Sequence, residues 1–423
     1  MAPIPRHLLS DNASVDSKGK LSVAGCVVSD LAEEFGTPLF IYDEDHLRAR
    51  CREAVEAFGT HATYASKVFL TKAVAKIAYE EGMGIDVSTG GEMHVCLSAG
   101  VPADRLTFHG NNKSVEELKM GIEAGVNRIV VDSFDEIERL EKIYDSSFSA
   151  PNILLRVTPG IKAETHKYIS TGQDDSKFGF TVSTGDAKLA VEKAMASPAM
   201  NLMGIHAHIG SQVLKVDSFA KAVEVLADFA RPFELPELVV GGGLGVAYVI
   251  GDEAPTISQW AKTIKDAAKE CGVTAALGIE PGRAIVAAAG MTVYKVGTIK
   301  KIDGVRNYVA VDGGMSDNPR PVLYGSGYEA FDPNNVMDER TLTANVVGKH
   351  CESGDILVED AQLPQNISVG DLLATPVTGA YGYSMSSNYN AVPRCAVVFV
   401  KDGVPRLVRR RETYDDLLLT ELG

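Results

Sequence analysis

Four short stretches carry residues whose types and spacing could do chemistry together. The first is YASKVFL (64–70), which sets Lys67 inside an apolar run. The run follows an alternating segment and precedes TKAVAKIAYEEG, which has a helical pattern, so Lys67 is expected on a short inner strand. A lysine among buried neighbours loses hydration and must find a partner or give up its charge. It is either paired with an acid such as Asp86 or is an amine held for Schiff-base chemistry. The second is VVGGGLG (239–245), where Gly241, Gly242 and Gly243 make either a plain turn or a cradle of backbone N–H groups for an anion. The third is HAHIGS (206–211). His206 and His208 are two apart and share one face of a strand. They could form a metal pair, or His208 could lie flat against a planar cofactor with Ser211 as a phosphate donor. The fourth is EPGR (280–283). Glu280 is either a charge partner for a lysine or an acid that keeps a pyridine nitrogen protonated and so strengthens the ring as an electron sink.

These residues need elements that bring them to one place. From residue 62 a pattern repeats: a short apolar run, a turn, then a helical segment. The apolar runs are 62–69, 84–89, 106–110, 128–133, 152–159, 202–210, 237–243 and 276–283. Helical candidates between them include SVEELKMGIEAG and DEIERLEKIY, several with Ser, Thr or Asp at the start and Gly at the end. Eight strand–helix units predict a (β/α)8 barrel, with a doubly wound sheet as the alternative. Active sites of such barrels lie at the C-terminal strand ends. Those ends read Lys67, Asp86 with Ser88, His109, Asp132, Arg156, His208, the glycines 241–243, and Glu280 with Arg283. Barrel hydrolases that use an HxH metal pair carry it on the first strand, whereas here it is on the sixth; no metal is expected. A Schiff-base lysine, a phosphate cradle, a stacking imidazole and an acid for a ring nitrogen together describe a site for pyridoxal 5'-phosphate.

After residue 291 the texture changes to β-like runs without helices between them, ending in AVVFVKDGVPRLVRR, a hairpin pattern around Asp402-Gly403. The expected organisation is an N-terminal segment (1–38) packing with a β domain, the barrel (39–290) and a C-terminal all-β domain (291–423), a sandwich or small barrel. The Gly160–Gly179 loop is the longest in the barrel and a candidate for function. With 423 residues and 45% apolar content the chain can bury two cores. Its net charge of −15 argues against a nucleic-acid or anionic-membrane surface. Six scattered cysteines without a CxxC pair favour free thiols over a metal or disulfide framework. With no apolar export segment at the N-terminus and no membrane-length run, the expectation is a cytoplasmic protein.

The motifs YASK, HGNNKS (109–114), STGQDDSKFG, GIHAHIGSQ, GGGLG, EPGR, DNPRPVLYG, CESGD and GAYGYSMSSNYN resemble, in this order, those of the alanine-racemase-type (fold type III) decarboxylases, nearest to the branch acting on diaminopimelate. The resemblance runs from about residue 37 to the C-terminus; VFL after Lys67 departs from the small residue and Asn of many members. It implies that Lys67 carries pyridoxal phosphate, His208 stacks on its ring and Glu280 holds its ring nitrogen. Ser211, Gly241, Gly242, Gly243, Pro281, Gly282, Arg283 and Tyr381 would surround the cofactor. Racemases of this fold have Arg in place of Glu280, so the Glu argues for decarboxylation. The resemblance makes Cys351 the acid that returns a proton after carbon dioxide leaves, acting from the partner subunit with Glu352 beside it, hence an obligate homodimer. Arg283, Arg320, Tyr324, Glu352 and Tyr381 would hold the far end of the substrate. The implied reaction is decarboxylation of meso-2,6-diaminopimelate to L-lysine, the last step of lysine biosynthesis. Ornithine lacks the distal carboxylate and would leave the arginines unpaired, at a cost of ~1–3 kcal/mol. Alternatives are a decarboxylase of ornithine, arginine or lysine on the same fold, and a cofactor-free binding homologue, which would lack the lysine and phosphate groups.

Overall fold

The computed structural model describes residues 4–144, 149–161 and 176–423. The chain forms two compact units, one of Arg50–Gly245 with Ala254–Ala284 and one of Met1–Ala49 with Val246–Glu253 and Ile285–Gly423.

The first unit is the expected barrel. Its strands are β1 (Thr63–Ala65), β2 (Gly84–Val87), β3 (Leu106–Phe108), β4 (Arg128–Val131), β5 (Asn152–Thr158), β6 (Asn201–His206), β7 (Glu237–Val239) and β8 (Ala276–Gly278). They pair in sequence order, all parallel. Just beyond β8 the ring closes, as Thr63 N–H donates to Ile279 O at 2.9 Å and Ile279 N–H to His61 O at 3.0 Å. Strands covered by helices on one side and barrel filling on the other read as near-continuous apolar runs. β2 and β3 are buried along their whole length. Helix starts follow the cap residues. Thr71, Thr89, Ser114, Ser133 and Thr256 each accept a backbone N–H, with full capping boxes at Ser114–Glu117 and Thr256–Gln259.

The strands stop sooner than the apolar runs suggest, and this corrects the expected setting of Lys67. β1 ends at Ala65, and Ser66–Val68 form a 3-10 turn. Phe69 N–H closes the turn onto Ser66 O at 3.1 Å, and the Tyr64 hydroxyl donates to Phe69 O at 2.6 Å. Val68 and Phe69 go into the core, and Lys67 is left exposed rather than buried.

The second unit is built on one mixed sheet. Its long strand Gly290–Ile302 pairs through one half with Leu39–Asp43 and Leu372–Pro376, and through the other with Arg306–Val311. The sheet continues through Arg340–Val347 to Ile356–Pro364 on one side, and through Ala396–Lys401 to Val404–Arg409 on the other. The last pair is the expected hairpin, and its turn residues Asp402 and Gly403 both have positive φ (51° and 75°). Leu39–Asp43, read from sequence as the start of the barrel, therefore belongs to this sheet. An N-terminal meander and the helix Val28–Phe35 pack on it through Leu21, Val23, Val28 and Leu31 against Met291, Val293, Phe331 and Val398. With that helix and the turn of helix Arg320–Tyr324, the unit is mainly rather than wholly β.

A buried ion pair fastens the loops that follow β3 and β4. Lys113 Nζ lies 2.8 Å from Glu136 Oε1, both side chains 1% exposed. Lys113 also donates to Gly110 O at 2.6 Å and Val130 O at 2.8 Å, and Glu136 Oε2 accepts Asp132 N–H at 3.0 Å. Burial pulls the Lys113 pKa down and the Glu136 pKa up, so each ion depends on the other. Lys113→Met should lower unfolding stability in urea by ~3–5 kcal/mol, because it strands a buried carboxylate. The pair Lys113→Met with Glu136→Leu should recover most of that loss. A double variant as unstable as the single one would refute the ion-pair account.

Candidate active site

At the C-terminal mouth of the barrel, four side chains from four strands form one buried cluster. Glu280, two residues past β8, is 8% exposed and both of its oxygens face histidines. His206 at the end of β6 places Nε2 2.8 Å from Glu280 Oε2. His109, just past β3, places Nε2 3.2 Å from Glu280 Oε1 and 3.5 Å from Asp86 Oδ1 on β2. The two imidazoles meet edge to face, with ring centroids 4.9 Å apart.

These contacts settle where charge resides. Burial opposes a charged His109, but Glu280 and Asp86 outweigh it and push its pKa up to about 9. Burial holds His206 down to about 4. Burial, and then repulsion by Glu280, raise Asp86 to about 7. Burial disfavours the Glu280 carboxylate, yet the histidines beside it keep its pKa well below the ordinary value. These contacts favour the charged form of Glu280, the neutral form of His206 and the charged form of His109.

Lys67 is close enough to this cluster to act on Asp86 and on His208 electrostatically. His208 is buried enough that desolvation, followed by the Lys67 and Arg156 charges, keeps it neutral. A Cβ on Gly241 would lie 3.3 Å from its Nδ1, so its imidazole stands beside the glycine run. The two histidines of HAH thus do different things. His206 supports Glu280, while His208 stands near Lys67 and the glycines.

The glycines have a steric reason to be there. A Cβ at Gly241 would fall 2.2 Å from Ala207 O, at Gly242 2.1 Å from Glu280 O, and at Gly243 2.1 Å from Gly210 O. Gly241 and Gly243 also have positive φ, 77° and 111°. The backbones after β6, β7 and β8 thus converge without side chains between them. Gly282 packs as tightly, its Cβ position 2.6 Å from Val68 Cγ1, and Ala65 N–H donates to Pro281 O at 3.2 Å. Beside this convergence Arg283, 5% exposed, donates to Ser211 Oγ at 2.9 Å. A guanidinium, a hydroxyl and close-packed backbone suit a phosphate, and the Glu280 anion suits a protonated ring nitrogen. The residues of this unit fit pyridoxal phosphate.

In the β unit, Arg320 opens the helix Arg320–Tyr324 and is 4% exposed, which rules out a plain surface arginine. Its guanidinium lies over three rings: Tyr248 at 5.0 Å, Tyr381 at 5.8 Å and Tyr324 at 5.9 Å. Its NH2 donates to Ser326 Oγ at 3.0 Å. Tyr381 has a φ of 60°, in the left-handed region, so its ring is placed by an uncommon backbone state. Cys351 and Glu352 are exposed. Their turn is fastened from the 388–391 segment: Cys351 N–H donates to Asn390 Oδ1 at 3.3 Å, and the Tyr389 hydroxyl donates to Glu352 Oε1. His350 beside them is locked by Ser316 at 2.8 Å and Asn390 at 3.2 Å.

The strand-end reading finds Asp86 and His109 but gives His109 no role, and it offers Asp86 only as one of two alternatives, a partner for Lys67. In the structure the Asp86 carboxylate lies 3.5 Å from His109 Nε2. The Gly160–Gly179 loop lies largely outside the described residues. Its far end is held where Gly179 N–H donates to Asp132 Oδ1 at 2.7 Å and Phe178 sits 4.2 Å beneath the Arg156 guanidinium.

Comparison with known proteins agrees with this geometry. Residues 44–287 match the family described as pyridoxal-dependent decarboxylase, pyridoxal binding domain. A protein named diaminopimelate decarboxylase from Mycobacterium tuberculosis is 46% identical over 97% of both chains. One of the same name from Bacillus subtilis is 44% identical over 96% of this chain and 95% of its own. The crystal structure of diaminopimelate decarboxylase from M. jannaschii in complex with L-lysine superposes with a TM-score of 0.90 at 31% identity, covering 98% of each chain. On the barrel match and these full-length relatives together, the chain belongs to the pyridoxal-dependent decarboxylases, in the diaminopimelate decarboxylase family.

Proposed function

We propose that this enzyme removes carbon dioxide from meso-2,6-diaminopimelate to yield L-lysine, the closing step of lysine biosynthesis, in a homodimer whose active sites are shared. The observation that carries the substrate reading is the buried Arg320 among its tyrosines, in a chain whose relatives bear the diaminopimelate decarboxylase name. The L-lysine in the M. jannaschii structure is the expected product. No helix among the described residues is long and apolar enough to cross a membrane, and all six cysteines are free. Both fit the proposed cytoplasmic setting.

When bound, pyridoxal phosphate supplies an electron sink for the pair left on Cα as carbon dioxide departs. The chain's own residues do the rest. Lys67 would be the amine that holds the cofactor. His208 would back its ring, and Glu280 would keep its ring nitrogen protonated. Ser211, Arg283, Pro281, Gly282, the glycines 241–243 and Tyr381 would hold the rest of the cofactor. Arg320, Tyr324 and Tyr381, with Arg283, take the distal carboxylate, for which a planar guanidinium is the better partner than an ammonium. Glu352 takes the distal amine. The Cα–carboxylate bond breaks, carbon dioxide leaves, and the thiol of Cys351 of the partner subunit gives a proton to Cα.

Product identification tests the reading first. The holoenzyme should turn meso-diaminopimelate into lysine and leave ornithine, arginine and lysine unchanged; a diamine product from any of these would transfer the assignment to the basic-amino-acid decarboxylases. Lys67→Ala should abolish turnover, and wild-type rates would sink the assignment of that amine. Arg320→Lys keeps the charge but loses the planar fork. It should raise KM for diaminopimelate by about 10-fold or more, in line with 1–3 kcal/mol for a lost charged hydrogen bond. An unchanged KM would remove Arg320 from the clamp. The shared site is tested by mixing. Lys67→Ala and Cys351→Ala are each expected to be nearly inactive, and co-refolding them should restore roughly one quarter of wild-type activity through hybrid dimers. No recovery would contradict a site built from two chains.

A further inference from the structure

We propose that His109 is a positioning residue of this active site: shared between Asp86 and Glu280, it is the buried cation that keeps Glu280 ionised and oriented once Lys67 is engaged by the cofactor. The inference rests on the reading of Glu280 as the acid facing the ring nitrogen.

The charge count leads to it. Asp86 and Glu280 are two buried carboxylates, 6% and 8% exposed, in one cluster. Two such groups repel unless a cation or a shared proton stands between them. Five groups with basic nitrogen act on them among the described residues. His208, after β6, is one of them, and burial keeps it neutral. His206, from β6, already contacts Glu280 Oε2 at 2.8 Å, and burial keeps it neutral. Arg156, from β5, is 3.6 Å from Asp132 and covers the Phe178 ring. Lys67, after β1, acts on Asp86, but as the amine that would hold the cofactor it is not a free ammonium committed to the two carboxylates. His109, from β3, remains, with Nε2 3.2 Å from one carboxylate and 3.5 Å from the other. Its 70° edge-to-face contact with His206 fixes the plane in which it can do both.

This geometry makes the pair of carboxylates unequal. Glu280 has two imidazole contacts and Asp86 has one, so the extra proton of the cluster goes to Asp86. His109 is raised above its usual value, so its charge persists through neutral pH and is lost as pH rises through about 9. Asp86 is raised to about 7, so it is neutral below and charged above that point. Above the His109 transition Glu280 faces an unscreened Asp86 anion, and the support for the ring nitrogen weakens. An alkaline limb of activity should follow.

The test uses holoenzyme labelled with 15N-histidine, the His109 signals being assigned by their loss in His109→Gln. At pH 7.5 His109 should show both ring nitrogens protonated, and should lose a proton only near pH 9. His109→Gln can still donate a hydrogen bond but carries no charge. It should lower kcat by about 10- to 100-fold, the scale for losing a partner that orients a functional group from behind, with KM and cofactor content little changed. The alkaline limb of kcat near pH 9 should disappear with it. A neutral imidazole at pH 7.5 would overturn the proposal. So would a His109→Gln enzyme with wild-type kcat and an unchanged alkaline limb. If that variant does not fold, His109→Asn supplies the assignment in its place, and the wild-type imidazole spectrum decides. A wild-type protein that decarboxylates no amino acid would defeat the reading of the reaction, while the His109 protonation state would still be read from its spectrum.

Discussion

Much of this active site depends on one buried anion. Glu280 sits 8% exposed at the mouth of the barrel, where an isolated carboxylate would take up a proton rather than stay charged. It stays charged because strands distant in sequence bring His109 and His206 to its two oxygens. Those contacts need β3, β6 and β8 in their barrel order, with Asp86 on β2 to face His109 from the other side. A buried carboxylate kept charged at this position is thus a property of the closed barrel and not of the EPGR motif alone.

The same mouth shows how close packing and chemistry share residues. Gly241, Gly242 and Gly243 are needed because carbonyl oxygens from the neighbouring loops occupy the space a Cβ would take. That convergence is also what strips side chains from the backbone beside Ser211 and Arg283. The β unit solves a different problem. It keeps the Arg320 guanidinium out of water by covering it with aromatic faces.

Much of this was legible in the chain. All eight barrel strands announce themselves as apolar runs, because parallel strands are covered on both faces. Helix starts were visible because a cap needs a side-chain oxygen at a known offset from the first turn. What was not legible is lateral. Nothing in the spacing of Asp86, His109, His206 and Glu280 says that they converge, since distances across a barrel mouth depend on shear and strand length. Apolar runs overstate strands for a related reason: Val68 and Phe69 are as buried in a turn as they would be in a strand, so Lys67 looked buried when it is exposed. The assignment of Leu39–Asp43 failed because a fully buried strand of the second sheet has the same texture as a barrel strand. The roles of Cys351 and Glu352 came from resemblance alone, for both are exposed polar residues in a turn.

The placement of Leu39–Asp43 has a consequence for how the protein is made. This strand sits between Gly290–Ile302 and Ala396–Lys401, so its two neighbours emerge from the ribosome hundreds of residues after it. The barrel is nearly continuous in the chain and is complete well before the last of them appears. During synthesis a segment that is buried along its whole length in the finished protein, LFIYD, must therefore wait unpaired while an entire domain folds behind it. The β unit, though it holds both ends of the chain, is the last to acquire its core, and that interval is when the nascent protein is most exposed to aggregation and most in need of a chaperone.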